Sequence, residues 1–146
     1  MFSKEESSQL RKLFWTSFGK SFPRKWVLYN TQIKGFSFKF VADQKQAMVC
    51  LDIESYDQGK NELLFEQVLE LKNLLIEDYL PQVVFDANYT LENGKQIHRI
   101  YVELEDTFNI HDKNTWQKAY VFFNKNMHQF EEFYEDFEDF IKQVIY

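Results

Sequence analysis

The feature that most constrains this chain lies in its last third. Hydrophobic side chains recur there in alternating steps of four and three: Trp116, Tyr120, Phe123, Met127, Phe130, Tyr134, Phe137, Ile141 and Val144. That spacing sets them all along one stripe of a single helix from Trp116 to Val144. Ala119, Phe133 and Phe140 widen the stripe on one side, which suits packing on a domain core better than a narrow two-helix seam. Such a helix would run roughly 45 Å at 1.5 Å per residue. A stripe of that length is more than one small core easily covers, so self-association through it is expected. The opposite side is expected to be acidic and solvated. Glu131, Glu132, Glu135, Asp136, Glu138 and Asp139 place six acids within nine residues.

A chain of 146 residues has the size of one domain with one core, here spanning 1–146. Only four Gly and two Pro argue against long linkers. The lone Cys50 forms no internal disulfide, which suggests a reducing, cytoplasmic setting. No cationic start followed by an apolar run suggests a signal peptide, and no apolar run is long enough to span a bilayer. No membrane partner is therefore expected. The formal charge of −6 hides an asymmetry: residues 1–45 hold nine bases against three acids. A cationic front and an anionic tail suggest self-association or a partner of one strong sign.

Taken in order, the chain opens with a helix. Ser3 and Glu6 form a capping-box pattern, Leu10, Leu13, Phe14 and Phe18 give an apolar face beside Trp15, and Gly19 and Pro23 stop it near Ser21. Three strands are expected next. Lys25–Thr31 carries Trp26, Leu28 and Tyr29. Phe36, Phe38 and Phe40 alternate with Ser37, Lys39 and Val41. Ala47–Glu54 alternates Val49, Leu51 and Ile53 with Met48, Cys50, Asp52 and Glu54. Short turns would join them as an antiparallel meander. A second helix is expected from about Lys60 to Tyr79, capped by Asp57 or Ser55 and ended by Pro81. Val83–Leu91 and Gln96–Leu104 flank Asn93-Gly94, a strong hairpin signal. Asn114 with Gln117 could cap the last helix. The expected architecture is α+β: a mainly antiparallel five-stranded sheet, a three-strand meander plus a hairpin, packed with three helices.

Several local patterns resemble a known family. They are Phe14-Trp15-Thr16-Ser17-Phe18-Gly19, Tyr29-Asn30-Thr31-Gln32-Ile33-Lys34, Ala42-Asp43-Gln44-Lys45, Leu64-Phe65-Glu66 with Lys72, and Arg99-Ile100-Tyr101. Together they resemble the bacterial family known as domain of unknown function 4268, over most of the chain. Relatives in that family occur alone or behind nuclease-like or restriction-associated modules. The resemblance implies a bacterial cytoplasmic domain near nucleic-acid processing, with no established activity and no established site residues.

Three constellations bear on function. The order of elements in the first ninety residues also matches the core of PD-(D/E)xK nucleases. Those enzymes hold magnesium with strand-end carboxylates, because a hard cation prefers oxygen ligands. Asp43, Asp52 and Glu54 could supply the acids, with Glu6 or Glu66 from the helices. The lysine expected two residues past the last acid is missing: Tyr56 follows Glu54 at that spacing, so Lys39 or Lys45 would have to substitute. The plain alternative puts Asp52 and Glu54 on a solvated face of an edge strand. Second, Arg11, Lys12, Lys20, Arg24, Lys25 and Lys34 are interleaved with Trp15, Phe18, Phe22, Trp26 and Tyr29, a mixture suited to single-stranded nucleic acid. Aromatic stripes are more often core. Third, the acidic helix face could receive a basic protein or simply keep an aromatic helix soluble.

His98, His111 and His128 have no metal-ligand spacing, and Cys50 in mid-strand reads as buried and inert. The reading that results is a non-catalytic binding or accessory domain with a protein partner or a second copy of itself. No cofactor is expected; magnesium enters only under the nuclease alternative.

Overall fold

The computed structural model describes residues 2–24, 26 and 31–145. Helix α1 (Lys4–Ser21) begins on the capping box that the sequence announces. The Glu6 amide donates to Ser3 Oγ at 3.1 Å and the Ser3 amide to Glu6 Oε1 at 3.4 Å. Strand β1 (Phe36–Ala42) pairs antiparallel with β2 (Ala47–Ile53) from Phe36↔Ile53 to Ala42↔Ala47. Helices α2 (Gln58–Glu70) and α3 (Lys72–Asp78) follow, then β3 (Val84–Thr90) and β4 (Gln96–Glu103). Gly94 takes φ +87° in the turn between them, a conformation that costs a glycine nothing. A 3-10 turn at Lys113–Thr115 leads into α4 (Trp116–Lys142), 27 residues in one piece and about 40 Å long.

Among the described residues there are four strands and four α-helices, against the five and three expected. The strand expected over 25–31 falls largely outside the described residues, and Trp26 and Thr31 within it are not in strand. The second helix divides at Leu71, whose amide bonds to the Val68 carbonyl three residues back and so tightens the turn. Asp57 is the cap of α2, accepting from the Lys60 amide at 3.1 Å. Asn114 does not cap α4; Asp112 caps the 3-10 turn ahead of it.

The sheet order is β1-β2-β4-β3, antiparallel throughout. The β2 strand is thus central and buried at all seven positions. It is not the edge strand of the plain reading above, because apolar residues on both of its faces find neighbours only inside the sheet. One face, with Phe36, Phe38, Val49, Leu51, Ile53 and Ile100, joins the helices in a single core. The other carries Lys39, Cys50, Asp52, Arg99 and Tyr101 by the alternation of the strands.

The α4 stripe lies on that core. Phe123 is 0% exposed and its ring meets Phe14, Trp15, Phe18 and Phe40 at centroid distances of 5.0 to 6.2 Å. Phe130, Phe133 and Ile141 are also fully covered. The stripe expected to leave rings over for a partner is buried within the chain along most of its length.

Truncating Phe123 removes a ring from a fully packed site. Phe123→Ala should cost about 3–5 kcal/mol in urea unfolding, and Phe137→Ala, on the half-buried margin, distinctly less.

Candidate functional site

The open face of the sheet holds an ionic network built by strand register. Asp52 and Arg99 sit directly opposite across β2 and β4. The guanidinium grips both carboxylate oxygens, Nε to Oδ1 at 2.8 Å and Nη2 to Oδ2 at 2.9 Å. Asp52 is 0% and Arg99 5% exposed. The Tyr89 ring covers the guanidinium, with its centroid 4.3 Å from Cζ. Lys39 lies diagonally across on β1, its Nζ 3.5 Å from Asp52 Oδ2 and 3.0 Å from Glu54 Oε2. Lys95 reaches Glu54 from the hairpin at 3.2 Å. Gly35, at φ +78°, lets the start of β1 pass so close to Ser55 that a Cβ would lie 2.9 Å from its backbone. The Glu54 amide donates to the Gly35 carbonyl at 2.7 Å, which holds Glu54 beside β1.

Each charge in this chain of contacts has an opposite within reach. Burial disfavours the charged form of Lys39, but the hydrogen bond to Glu54 and the fields of Asp52 and Glu54 outweigh it, and its pKa rises. Burial likewise opposes the Glu54 carboxylate, yet Lys39 and Lys95 together pull its pKa down. Burial pushes the Cys50 thiol up, and the thiolate is correspondingly suppressed.

Of the residues nominated for a nuclease, the fold brings together Asp52, Glu54 and Lys39. It does not bring Asp43. That carboxylate accepts the Lys45 and Gln46 amides at 2.8 Å within the β1–β2 turn. It sits six residue pairs along the hairpin from Asp52, about 20 Å at the usual strand rise. Glu6 is held in its capping box. Among the described residues no group of three or more His, Cys, Asp or Glu side chains is placed to hold a metal ion. Sequence reasoning missed Arg99 and Tyr89. The available signal was an aspartate in the otherwise apolar Ala47–Ile53 strand and an arginine amid Ile97, Ile100 and Val102 on β4, since buried opposite charges need each other.

The basic, aromatic front is arranged differently from a stacking surface. Phe18 is buried, Trp15 stacks on Phe123 at 5.7 Å, and Trp26 packs edge-on against Phe40 at 5.6 Å. Lys25 and Tyr29 lie outside the described residues. Arg11, Lys12, Lys20 and Lys34 are exposed. Arg24 instead turns to the acidic helix. It bonds Glu131 at 2.7 Å and donates to His128 Nδ1 at 2.9 Å, leaving His128 Nε2 to meet Glu132 at 3.0 Å. Glu131 is therefore buried on the stripe side, not solvated with the other acids. Asp136 accepts from the Tyr79 hydroxyl, which pushes that phenol up to about 12, and Glu138 pairs with Lys142 one turn on.

A shallow groove runs along the other flank of α4, between that helix, the end of β4 and the chain entering β3. Val102, Leu104 and Phe122 form its floor, and Asp78, Glu103, Glu105 and Asp106 stand exposed on its rim. It continues past Phe122 to Val121, which is 51% exposed, and back to Gln117. From Gln117 to Gln129 it follows about 18 Å of helix. Lys125 lies within it, and Lys118 approaches Asp106 at 3.7 Å.

These features define an α+β domain with helices on one face of an all-antiparallel four-stranded sheet and a self-contained ion network on the other. The chain belongs to the family described as Domain of unknown function (DUF4268), whose model matches residues 10–138. No curated protein and no solved structure matches it. No helix among the described residues is long and apolar enough to cross a membrane.

Removing one side of the buried pair strands the other. Arg99→Ala should cost about 3–5 kcal/mol by urea unfolding, whereas the double change Asp52→Leu with Arg99→Met should recover most of that loss. The Glu54 contacts carry a pH signature. Its folded pKa lies below the ordinary 4.5, so its ionised form adds stability above 4.5 that is lost as pH falls through the folded value. Lys39, raised above 10.5, keeps its share up to that value and loses it only beyond. The stability difference between the native chain and Glu54→Gln should be about 1 kcal/mol across neutral pH. Unfolding measured at successive pH values should show it closing in acid.

Proposed function

We propose that this domain works by binding a protein partner rather than by catalysis, and that the groove along α4 is the contact surface. The observation that supports this reading best is the contrast between the two flanks of the fold. On the open sheet face every charged group of the network is engaged by another, and Asp52 and Cys50 are buried. In the groove, by contrast, Val121 is exposed beside an apolar floor, and the exposed acids of the rim outnumber the cations there, Lys125 and the Lys118 that pairs with Asp106. Solvated acids around exposed apolar surface favour a cationic segment with one bulky apolar side chain. Apolar burial supplies affinity and the charges supply steering. Some 18 Å of groove accommodates five or six residues in extended form.

The aromatic stripe of α4 is spent on the core, so association is assigned to its flank. The magnesium-nuclease reading keeps one point in its favour, the lysine beside Asp52 and Glu54. It requires Arg99 to release Asp52 and another carboxylate to take the place of Asp43.

Titration of the chain with a short peptide of lysines around a leucine tests the groove. Amide shifts should concentrate at residues 102–106 and 117–129, and Glu105→Lys with Asp106→Lys should weaken binding about tenfold or more. Shifts on the open sheet face, or none, would overturn the assignment. Magnesium-dependent cleavage of DNA that Asp52→Asn abolishes would establish the nuclease reading instead.

A further inference from the structure

The groove has a counterpart on the same chain. Leu13 was expected on the buried face of α1, but it is 42% exposed. The reason is geometric: Phe14 and Phe18 point into the core, and Leu13 falls about 100° away from Phe14 around the helix. Lys20 lies on the same line as Leu13, two turns on, with Lys12 and Thr16 on the adjoining line, all of them exposed. Phe2, 43% exposed, and Lys113 border the same patch. The result is a pair of protruding apolar side chains, Leu13 and Phe2, with Lys12, Lys20 and Lys113 on the same side of the fold. Glu6, an acid lining the same patch, is bonded within the capping box.

We infer that the groove of one copy receives the outer face of α1 from a second copy, so that the chain associates head to tail. Leu13 would meet Phe122, Leu104 and the exposed Val121. Lys12, Lys20 and Lys113 would face Glu103, Glu105 and Asp106. The two surfaces match in sign and in the placing of the apolar group within the charges. The stretch of α1 from Lys12 to Lys20 covers about 12 Å and fits within the roughly 18 Å that the groove follows. Both flanks are built by segments that the core holds rigidly, α1 through Phe14 and Phe18 and the groove through Phe123 and Val102. The surfaces are different patches, so the contact is heterologous. It leaves an unused groove at one end and an unused helix face at the other, and growth beyond two copies follows unless the rotation closes.

This inference rests on the groove being the binding surface, and sedimentation of the whole chain separates the two claims. At about 0.05 M salt the mass should rise with concentration above that of one copy, and it should return to one copy near about 0.5 M, because exposed charge pairs are screened. Glu105→Lys with Asp106→Lys should abolish association, and so should Lys12→Glu with Lys20→Glu. A mixture of those two variants should associate again. The first retains an intact helix face and the second an intact groove, and the altered groove of the first and altered helix face of the second are themselves opposite in sign. A native chain that stays single at low salt overturns the inference, as does association that survives either pair of substitutions. If that single chain still binds the lysine-leucine peptide in its groove, the groove reading stands and only the second copy as occupant falls. If it binds neither, both fall.

Discussion

The contact between the aromatic stripe of α4 and the phenylalanine face of β1 is the condition for everything else in this fold. Phe38 meets Phe130 at 5.5 Å and Tyr134 at 5.8 Å, Phe36 meets Tyr134 at 5.8 Å, and Phe40 meets Phe123 at 5.0 Å. A strand with a ring at every second position and a helix with a ring at every third or fourth can stay in contact over several turns only if the helix is straight and unbroken. The α4 helix meets that condition, running from Trp116 to Lys142 in one piece. Tyrosine hydroxyls tie the stripe to the rest of the chain. Tyr120 donates to the Phe14 carbonyl at 2.7 Å and Tyr134 to that of Thr31 at 2.5 Å, so buried phenols stay satisfied and α1 is fixed in place.

The open face solves a different problem. A four-stranded sheet with helices on one side leaves the central strands half wet on the other, and β2 and β4 cover theirs with side chains of their own. The guanidinium of Arg99 lies between Asp52 and Tyr89 on this face, where Cys50 and Ile97 are also buried. An ion pair so placed contributes less to net stability than its geometry suggests, because both charges surrender water. What it fixes is register. A slip of one residue between β2 and β4 would turn one of the two, Asp52 or Arg99, into the apolar core and leave the other without its partner.

How much of this was legible in the sequence depended on range. Patterns that repeat locally were readable: the four-three rhythm of α4, the Ser3 and Glu6 box, and the Asn93-Gly94 turn all appear where they were expected. Contacts joining distant segments were not. Nothing local places β4 rather than β3 beside β2, and the pair that locks this arrangement joins residues 47 apart. Glu131 belongs by position to a run of acids. Only Arg24, 107 residues earlier in the chain, explains why it is buried. The nominated carboxylates divided for the same reason. Asp52 and Glu54 share a strand and stay together, while Asp43 is separated from them by the length of the hairpin.

The irregularity in β3 has a meaning of its own. That strand forms one border of the sheet, and its pairing with β4 slips between Asp86 and Tyr89. A border with evenly spaced free amides and carbonyls is a template on which other polypeptides can zip up into larger sheets, and a break in the ladder spoils the spacing. The kink at 86–89 thus works as insulation. It keeps a domain rich in aromatic, sheet-forming residues from recruiting unfolded neighbours along its own rim.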